Sequence, residues 1–345
     1  MKISYIISAT DYRSIGRYVI DLYNIMKPDS EVIQYVLNKD NEATGNFIKK
    51  FYGPNLKYPY TIYSHLLFRY AFKDGIKYVE TADTDLIHIG DPATWYNFKN
   101  KNRVVTIHDL IVFKKIADYP KIFKLNVKSS VKKYIKSANI LTDSNYVKND
   151  IINIFDVEDV TVIPPMVSEN FTKLNETKEE LRKELNLPLD KKLILSVSST
   201  ERRKNLIMVE NVIKNIGDDF RLVRVGAPVY NSINFSKIDN ITLNKIYNAC
   251  DVLYFPTLEE GFGYPVVETF KTGLPIVSSN IDVIKEVAGN STVLVDPNSL
   301  DENIEGIHKA IENSSYYTSK GFERSKLYSK EITKEKLIKY YNSII

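Results

Sequence analysis

The chain of 345 residues contains one cysteine, Cys250, which excludes an intrachain disulfide and any zinc site built on clustered thiolates. No apolar run approaches the roughly 18 residues needed to cross a bilayer. The run from Ile3 to Ile7 is too short for a signal-peptide core. A cytoplasmic location is therefore expected, with any membrane contact peripheral. Charge of one sign is not in excess: 47 basic residues against 43 acidic leave a net charge of +4. That is a mixed surface, without the concentrated positive field that holds a polyanion, so nucleic acid is not expected as a partner. Glutamine is nearly missing, with Gln34 alone, while lysine, isoleucine and tyrosine are abundant, a bias compatible with a heat-adapted source. No internal repeat and no low-complexity tract occurs.

Hydrophobic residues make up 43% of the chain, and its length suits two domains of ordinary size. Short apolar runs alternate with helical patterns throughout, which predicts an α/β class with parallel sheets. Strands are expected at 3–8, 85–89, 103–109, 139–144 and 160–165, then at 193–197, 221–226, 251–256, 276–279 and 293–297. The polar, helix-capable stretch 170–190 predicts a linker, giving domains at 1–168 and 169–330 and a terminal helix at 331–345. A helix over 122–138 places Val127, Val131, Tyr134 and Ala138 on one face. Lys124, Lys128, Lys132 and Lys136 recur along its flank, a basic surface suited to an anionic membrane or a phosphorylated acceptor. Residues 47–72 are dense in aromatics, including Phe47, Tyr58, Tyr60 and Phe68, which suits either an acceptor groove or irregular core filling.

The chemistry concentrates between Glu259 and Pro275. The run Asp251–Pro256 reads as a buried parallel strand. Gly261, Phe262 and Gly263 then form a loop that lets backbone approach a ligand, and Pro265 suits the start of a helix that Gly273 closes. A helix N-terminus carries unpaired N–H groups and roughly half a positive charge, which favours phosphate oxygens. Glu260 and Glu268 would repel phosphate, but they can accept hydrogen bonds from hydroxyls at either end of a diphosphate. Upstream, the expected strand 193–197 runs into Arg202-Arg203-Lys204-Asn205 and a helix from Leu206. Arginine offers bidentate donors and lysine a compact charge, the pair a diphosphate needs. The expected strand ending at Gly226 leaves a turn against which a nucleobase can lie.

Glu260 through Glu268 resembles the E-x7-E motif of retaining family 4 glycosyltransferases, which have the GT-B fold, two Rossmann-like doubly wound domains facing a cleft. Arg203-Lys204-Asn205 is similar to that family's R-K-N motif, whose basic residues grip the donor diphosphate. His108-Asp109 resembles its H-D pair, and Ser14-Ile15-Gly16 its glycine-containing first loop. The resemblance implies that His108 reaches the donor sugar, that Gly16 lines the cleft and that the last helix crosses back to brace the first domain; with Arg203, Lys204 and the helix N-terminus after Gly263 stabilising the departing diphosphate, no metal is needed and no cofactor is expected. His88 reads as a structural histidine. The implied catalytic set is His108, Arg203, Lys204 and Glu260; the implied donor-binding set is Gly16, Arg203, Lys204, Gly226, Glu260, Gly261, Phe262, Gly263 and Glu268. The expected activity is transfer of a sugar from a nucleotide diphosphate sugar to a hydroxyl of a glycan, lipid-linked or small-molecule acceptor, and the resemblance implies retention of configuration. The alternatives are a non-catalytic nucleotide-sugar-binding protein, or another GT-B enzyme such as an epimerase or phosphorylase.

Overall fold

The computed structural model describes residues 1–7, 15–28, 30–38, 49–52, 83–93, 98, 102–116 and 119–345. The aromatic-rich stretch, apart from its strand at 49–52, and the loop before Ile15 lie outside them. The chain divides into two compact units, Met1–Met166 with Lys330–Ile345, and Val167–Ser329.

In the first unit, β1 (Lys2–Ile7), β2 (Glu31–Asn38), β3 (Lys49–Tyr52), β4 (Leu86–Ile89), β5 (Asn102–Ile107), β6 (Asn139–Thr142) and β7 (Val160–Val162) make a parallel sheet in the order β3-β2-β1-β4-β5-β6-β7. The order reverses at β1 and β4, the kind of position where open α/β sheets bind ligands beyond their carboxyl ends. Helix α1 (Ile15–Met26) buries Tyr18, Val19, Leu22 and Met26 with Ile3 and Tyr5 of β1. The closing helix Lys330–Asn342 adds Leu337 and Tyr341 to the same cluster. On β4, His88 is fully buried, with Nδ1 2.6 Å from the Tyr341 hydroxyl and Nε2 2.7 Å from Thr106 Oγ1. It is the satisfied structural histidine expected.

Helix α2 (Lys121–Ile135) carries the lysine series, and α3 (Asn145–Phe155) follows. Val127, Val131 and Tyr134 of α2 pack with Ile89, Val105 and Ile140 of the sheet. The apolar stripe considered for a membrane surface is spent on its own core, and Lys121, Lys128, Lys132 and Lys136 are left exposed. Among the described residues no helix is long and apolar enough to cross a membrane.

The second unit is built the same way. Strands β8 (Lys192–Val197), β9 (Phe220–Val225), β10 (Ser232–Phe235), β11 (Val252–Phe255), β12 (Ile276–Ser279) and β13 (Val293–Val295) pair in parallel in the order β10-β9-β8-β11-β12-β13. Around them lie α4 (Lys178–Glu184), α5 (Leu206–Asn215), α6 (Asn240–Ala249), α7 (Tyr264–Thr272), α8 (Asp282–Ala288), α9 (Leu300–Glu312) and α10 (Ser314–Ser325). The polar lead-in thus contains a helix, α4, started by a capping box between Thr177 and Glu180. Strand β10 and helix α10 were not anticipated. The first is an edge strand without a buried apolar run, and the second is rich in serine and tyrosine, with Gly321 as its buried residue.

Asp251 locks this unit at the start of β11. Its carboxylate accepts from Arg182 NH2 at 2.6 Å, Lys178 Nζ at 2.7 Å and the Leu193 amide at 2.7 Å, tying α4 and β8 to β11. Arg182 is buried, whereas the Lys178 side chain is 46% exposed. Removing one partner of a buried pair costs about 3–5 kcal/mol, and an exposed pair contributes at most about 1 kcal/mol. Asp251→Ala should therefore lower unfolding free energy by about 3 kcal/mol or more, and Lys178→Ala by less than about 1 kcal/mol, as measured by urea denaturation. Equal effects from the two would show that Arg182 is solvated.

Candidate functional site

The cationic turn Arg202–Lys204 stands just beyond the carboxyl end of β8, and the loop after β11 lies beside it. The two strands are neighbours in the sheet, with Val252 opposite Ile194. Their loops are stitched together by backbone and side chain. The Leu258 amide donates to the Arg203 carbonyl at 2.7 Å, and Thr257 Oγ1 lies 3.1 Å from the same oxygen. Arg203 NH1 donates to Glu260 Oε2 at 2.8 Å and to the Glu259 carbonyl at 3.1 Å. Lys204 Nζ donates to Glu260 Oε1, which also accepts from Thr257 Oγ1 at 3.0 Å. Arg203, Lys204 and Glu260, inferred separately from two motifs, thus form one cluster.

Its electrostatics follow from burial. The Glu260 side chain is 8% exposed, against 11% for Lys204 and 19% for Arg203. Burial alone would raise the Glu260 carboxyl, but Lys204 and Arg203 outweigh it and hold the group below the usual carboxylate range. Arg203 NH2 makes a second ion pair, with Glu201 at 2.6 Å. The donors that suit a diphosphate rest on Glu260.

Gly261, Phe262 and Gly263 lead into α7. Gly263, at φ 96°, is the N-cap, a left-handed conformation that a side chain would strain. Pro265 occupies the second helical position, and Gly273 closes the helix at φ 74° with its amide on Thr269 O. Phe262 is buried edge-on against Tyr264 and Tyr328. Glu268 is buried inside α7, where its Oε2 accepts the Tyr247 hydroxyl of α6 at 2.8 Å. Gly226, at φ 136°, ends β9 and returns its amide to Phe235 O at 3.0 Å.

In the first unit His108 follows β5. Its Nδ1 lies 2.7 Å from Asp143 Oδ2, and its Nε2 donates to the Gly90 carbonyl at 3.0 Å. Neither oxygen can donate, so the ring makes both bonds only as an imidazolium. Burial pushes its pKa down, but the Asp143 carboxylate more than reverses this and sets it above the ordinary value. The Tyr18 ring meets it edge-on at 4.6 Å. Gly16 belongs to the first turn of α1 and not to the preceding loop, as had been expected. Thr257, Tyr247 and Asp143 were missed. Each is a single polar residue beside an apolar run, and only its neighbours in space give it a part.

Residues 177–326 match the family described as Glycosyl transferases group 1. The O-antigen chain mannosyltransferase B of Escherichia coli is 23% identical over 278 residues, covering 72% of this chain and 71% of that protein. Sucrose-phosphate synthase from Thermosynechococcus elongatus superimposes with a TM-score of 0.80 at 17% identity, over 99% of this chain and 98% of its own. Anabaena Alr3699/HepE, solved in complex with UDP-glucose, does so with a TM-score of 0.80 at 14% identity, over 99% and 100%. The fold is of the GT-B class, with two Rossmann-like units.

Among the described residues of the first unit, the fully buried His88 and the largely enclosed His108 give opposite pH dependences. Unfolded histidine titrates at about 6.5, whereas burial, followed by the nearby His108, holds His88 down to about 3. Below about 6.5 the unfolded chain takes up a proton that folded His88 refuses, so stability falls as the pH drops towards about 3. Folded His108 keeps its proton above about 6.5, so its contribution is full below that value and is lost as the pH rises through its elevated pKa. Urea denaturation should therefore find the first unit most stable at about pH 6.5, and Asp143→Asn should flatten the alkaline limb. A wild-type midpoint that does not change with pH would contradict both assignments.

Proposed function

We propose that this chain, a glycosyltransferase of group 1, moves a sugar from a nucleotide diphosphate sugar to a hydroxyl of a glycan or lipid-linked acceptor, with retention of configuration and without a metal. The observation that carries this reading is the Arg203–Lys204–Glu260 cluster beside the Gly263-capped start of α7. The bond from the anomeric carbon to phosphate breaks while positive charge grows on the sugar ring and negative charge on the leaving diphosphate. Preorganised cations and helix N–H groups aimed at the leaving group supply the largest available stabilisation.

In this mechanism Arg203 and Lys204 turn from Glu260 to the diphosphate. Glu260, relieved of part of its charge pairing, accepts hydrogen bonds from the hydroxyls of the donor sugar. Glu268, fixed by Tyr247, accepts from the ribose. Glu260 is thereby committed to holding the donor sugar rather than attacking it. The proposed course is therefore front-face attack, in which the acceptor oxygen bonds to the anomeric carbon and its proton passes to an oxygen of the departing phosphate. For His108 to meet a sugar hydroxyl, its Nε2 must leave the Gly90 carbonyl. The mannosyltransferase relative makes mannose the first donor sugar to try. Peripheral membrane contact, if used, rests on the exposed lysines of α2 alone, since its apolar stripe is packed.

A thermal-shift screen against nucleoside diphosphates and their sugars tests the reading. A ligand at a hundred times its dissociation constant adds about 2.7 kcal/mol of stability. Lys204→Ala should lower kcat by about 10²- to 10³-fold with the circular dichroism spectrum unchanged, the usual loss for one leaving-group or oxyanion donor. Glu268→Ala should instead raise the donor KM with kcat largely retained. Unchanged turnover would remove Lys204 from the site, and a pure loss of kcat at saturating donor would remove Glu268 from the ribose.

A further inference from the structure

Arg224, the fifth residue of β9, is fully buried. Its NH1 donates to the carbonyls of Ser196 and Val225, each at 3.0 Å, and its NH2 to those of Ser198 at 2.5 Å and Ser199 at 3.4 Å. Its Nε is buried without a hydrogen-bond partner, and among the described residues no carboxylate pairs with it. Desolvation lowers its pKa only to about 10, so the charge persists at neutral pH. A buried cation without a counter-anion is costly to keep, and the structural work done here could be done by neutral donors. Its place makes it specific. Three of the four carbonyls it gathers run from the end of β8 into the segment that leads to the Arg202–Lys204 turn, and Gly226 lies against the same group. A Cβ at Gly226 would come within 2.3 Å of the Ser198 carbonyl and 3.0 Å of Arg224 NH2. Carbonyl oxygens alone would make this approach negative, and a full positive charge beneath them reverses its sign.

We propose that Arg224 is a positioning residue for the donor diphosphate: its uncompensated guanidinium holds the Ser196–Ser199 backbone and supplies, through it, the positive potential that makes the second phosphate count. This rests on the nucleotide-sugar reading of the same site. It assigns diphosphate-over-monophosphate selectivity to a residue that does not touch the ligand.

The experiment is calorimetric titration of wild type, Arg224→Gln and Arg224→Lys with UDP, GDP and ADP and with the matching monophosphates. Glutamine keeps an amide that can donate to the carbonyls but removes the charge. In Arg224→Gln the ratio of monophosphate to diphosphate dissociation constants should fall by about tenfold while monophosphate affinity is nearly kept; a purely structural role would weaken both alike. In Arg224→Lys the ratio should stay within about threefold of wild type at neutral pH. It should then collapse as the pH is raised through the lowered pKa of a buried lysine, a titration absent from wild type. This second arm serves should Arg224→Gln fail to fold. A ratio unchanged in Arg224→Gln, or a lysine variant with no added pH dependence, overturns the inference alone. Loss of the native circular dichroism spectrum in both variants also overturns it, making Arg224 a folding residue. Failure of wild type to bind any of the three diphosphates overturns the donor reading and the inference with it.

Discussion

One carboxylate organises the second unit's chemistry. Arg203 and Lys204 are adjacent cations that would repel each other and stray into solvent if left alone. Glu260, 8% exposed, holds one on each of its oxygens. The three come from two loops that meet only because β8 and β11 are neighbours at the point where the strand order reverses. The loop that carries Glu260 runs directly on into the Gly263 cap of α7. The site therefore depends on a strand pairing whose partners, Ile194 and Val252, lie 58 residues apart, and Asp251 secures that pairing through Arg182, Lys178 and the Leu193 amide. An anionic ligand that takes over the two cations would exchange one charge-assisted contact for another, at modest net cost.

The first unit shows how partner chemistry decides what a buried histidine does. His88 lies within β4 and His108 just beyond the end of the neighbouring β5, and both are enclosed. Hydroxyls of Tyr341 and Thr106, which can give or take a proton, serve a neutral His88. A carboxylate and a carbonyl, which can only accept, hold His108 as a cation. The first arrangement ties the closing helix to the sheet of its own unit. The second leaves a charged ring beside Tyr18 of α1, close to the point where this unit's strand order also reverses. Burial is common to both, so it cannot by itself separate a structural histidine from a functional candidate.

Much of this was legible from residue order. The alternation of apolar runs and helical patterns anticipated the two parallel sheets, because strands covered on both faces must be apolar throughout. The glycines and prolines around α7 marked its ends, because cap conformations demand those residues. Where the local signal was weak, structure was missed. Strand β10 lies at a sheet edge and needs no apolar run, and α10 has no continuous apolar stripe. The lysine series of α2 was visible, but whether its apolar face met a membrane or a sheet was not, since either would select the same residues.

The order of residues by itself determined the α/β class, the boundaries of α7 and the candidacy of Arg203, Lys204, Glu260 and Glu268, since each depends on spacing within one turn or one strand. Tertiary structure alone decided that Glu260 carries both cations, that Tyr247 holds Glu268, that Asp143 charges His108 and that Arg224 lies uncompensated beneath the Ser196–Ser199 segment. The reason is physical: a charge's state is set by the burial and partners around it, and those partners come from distant parts of the chain that only the sheet order brings together.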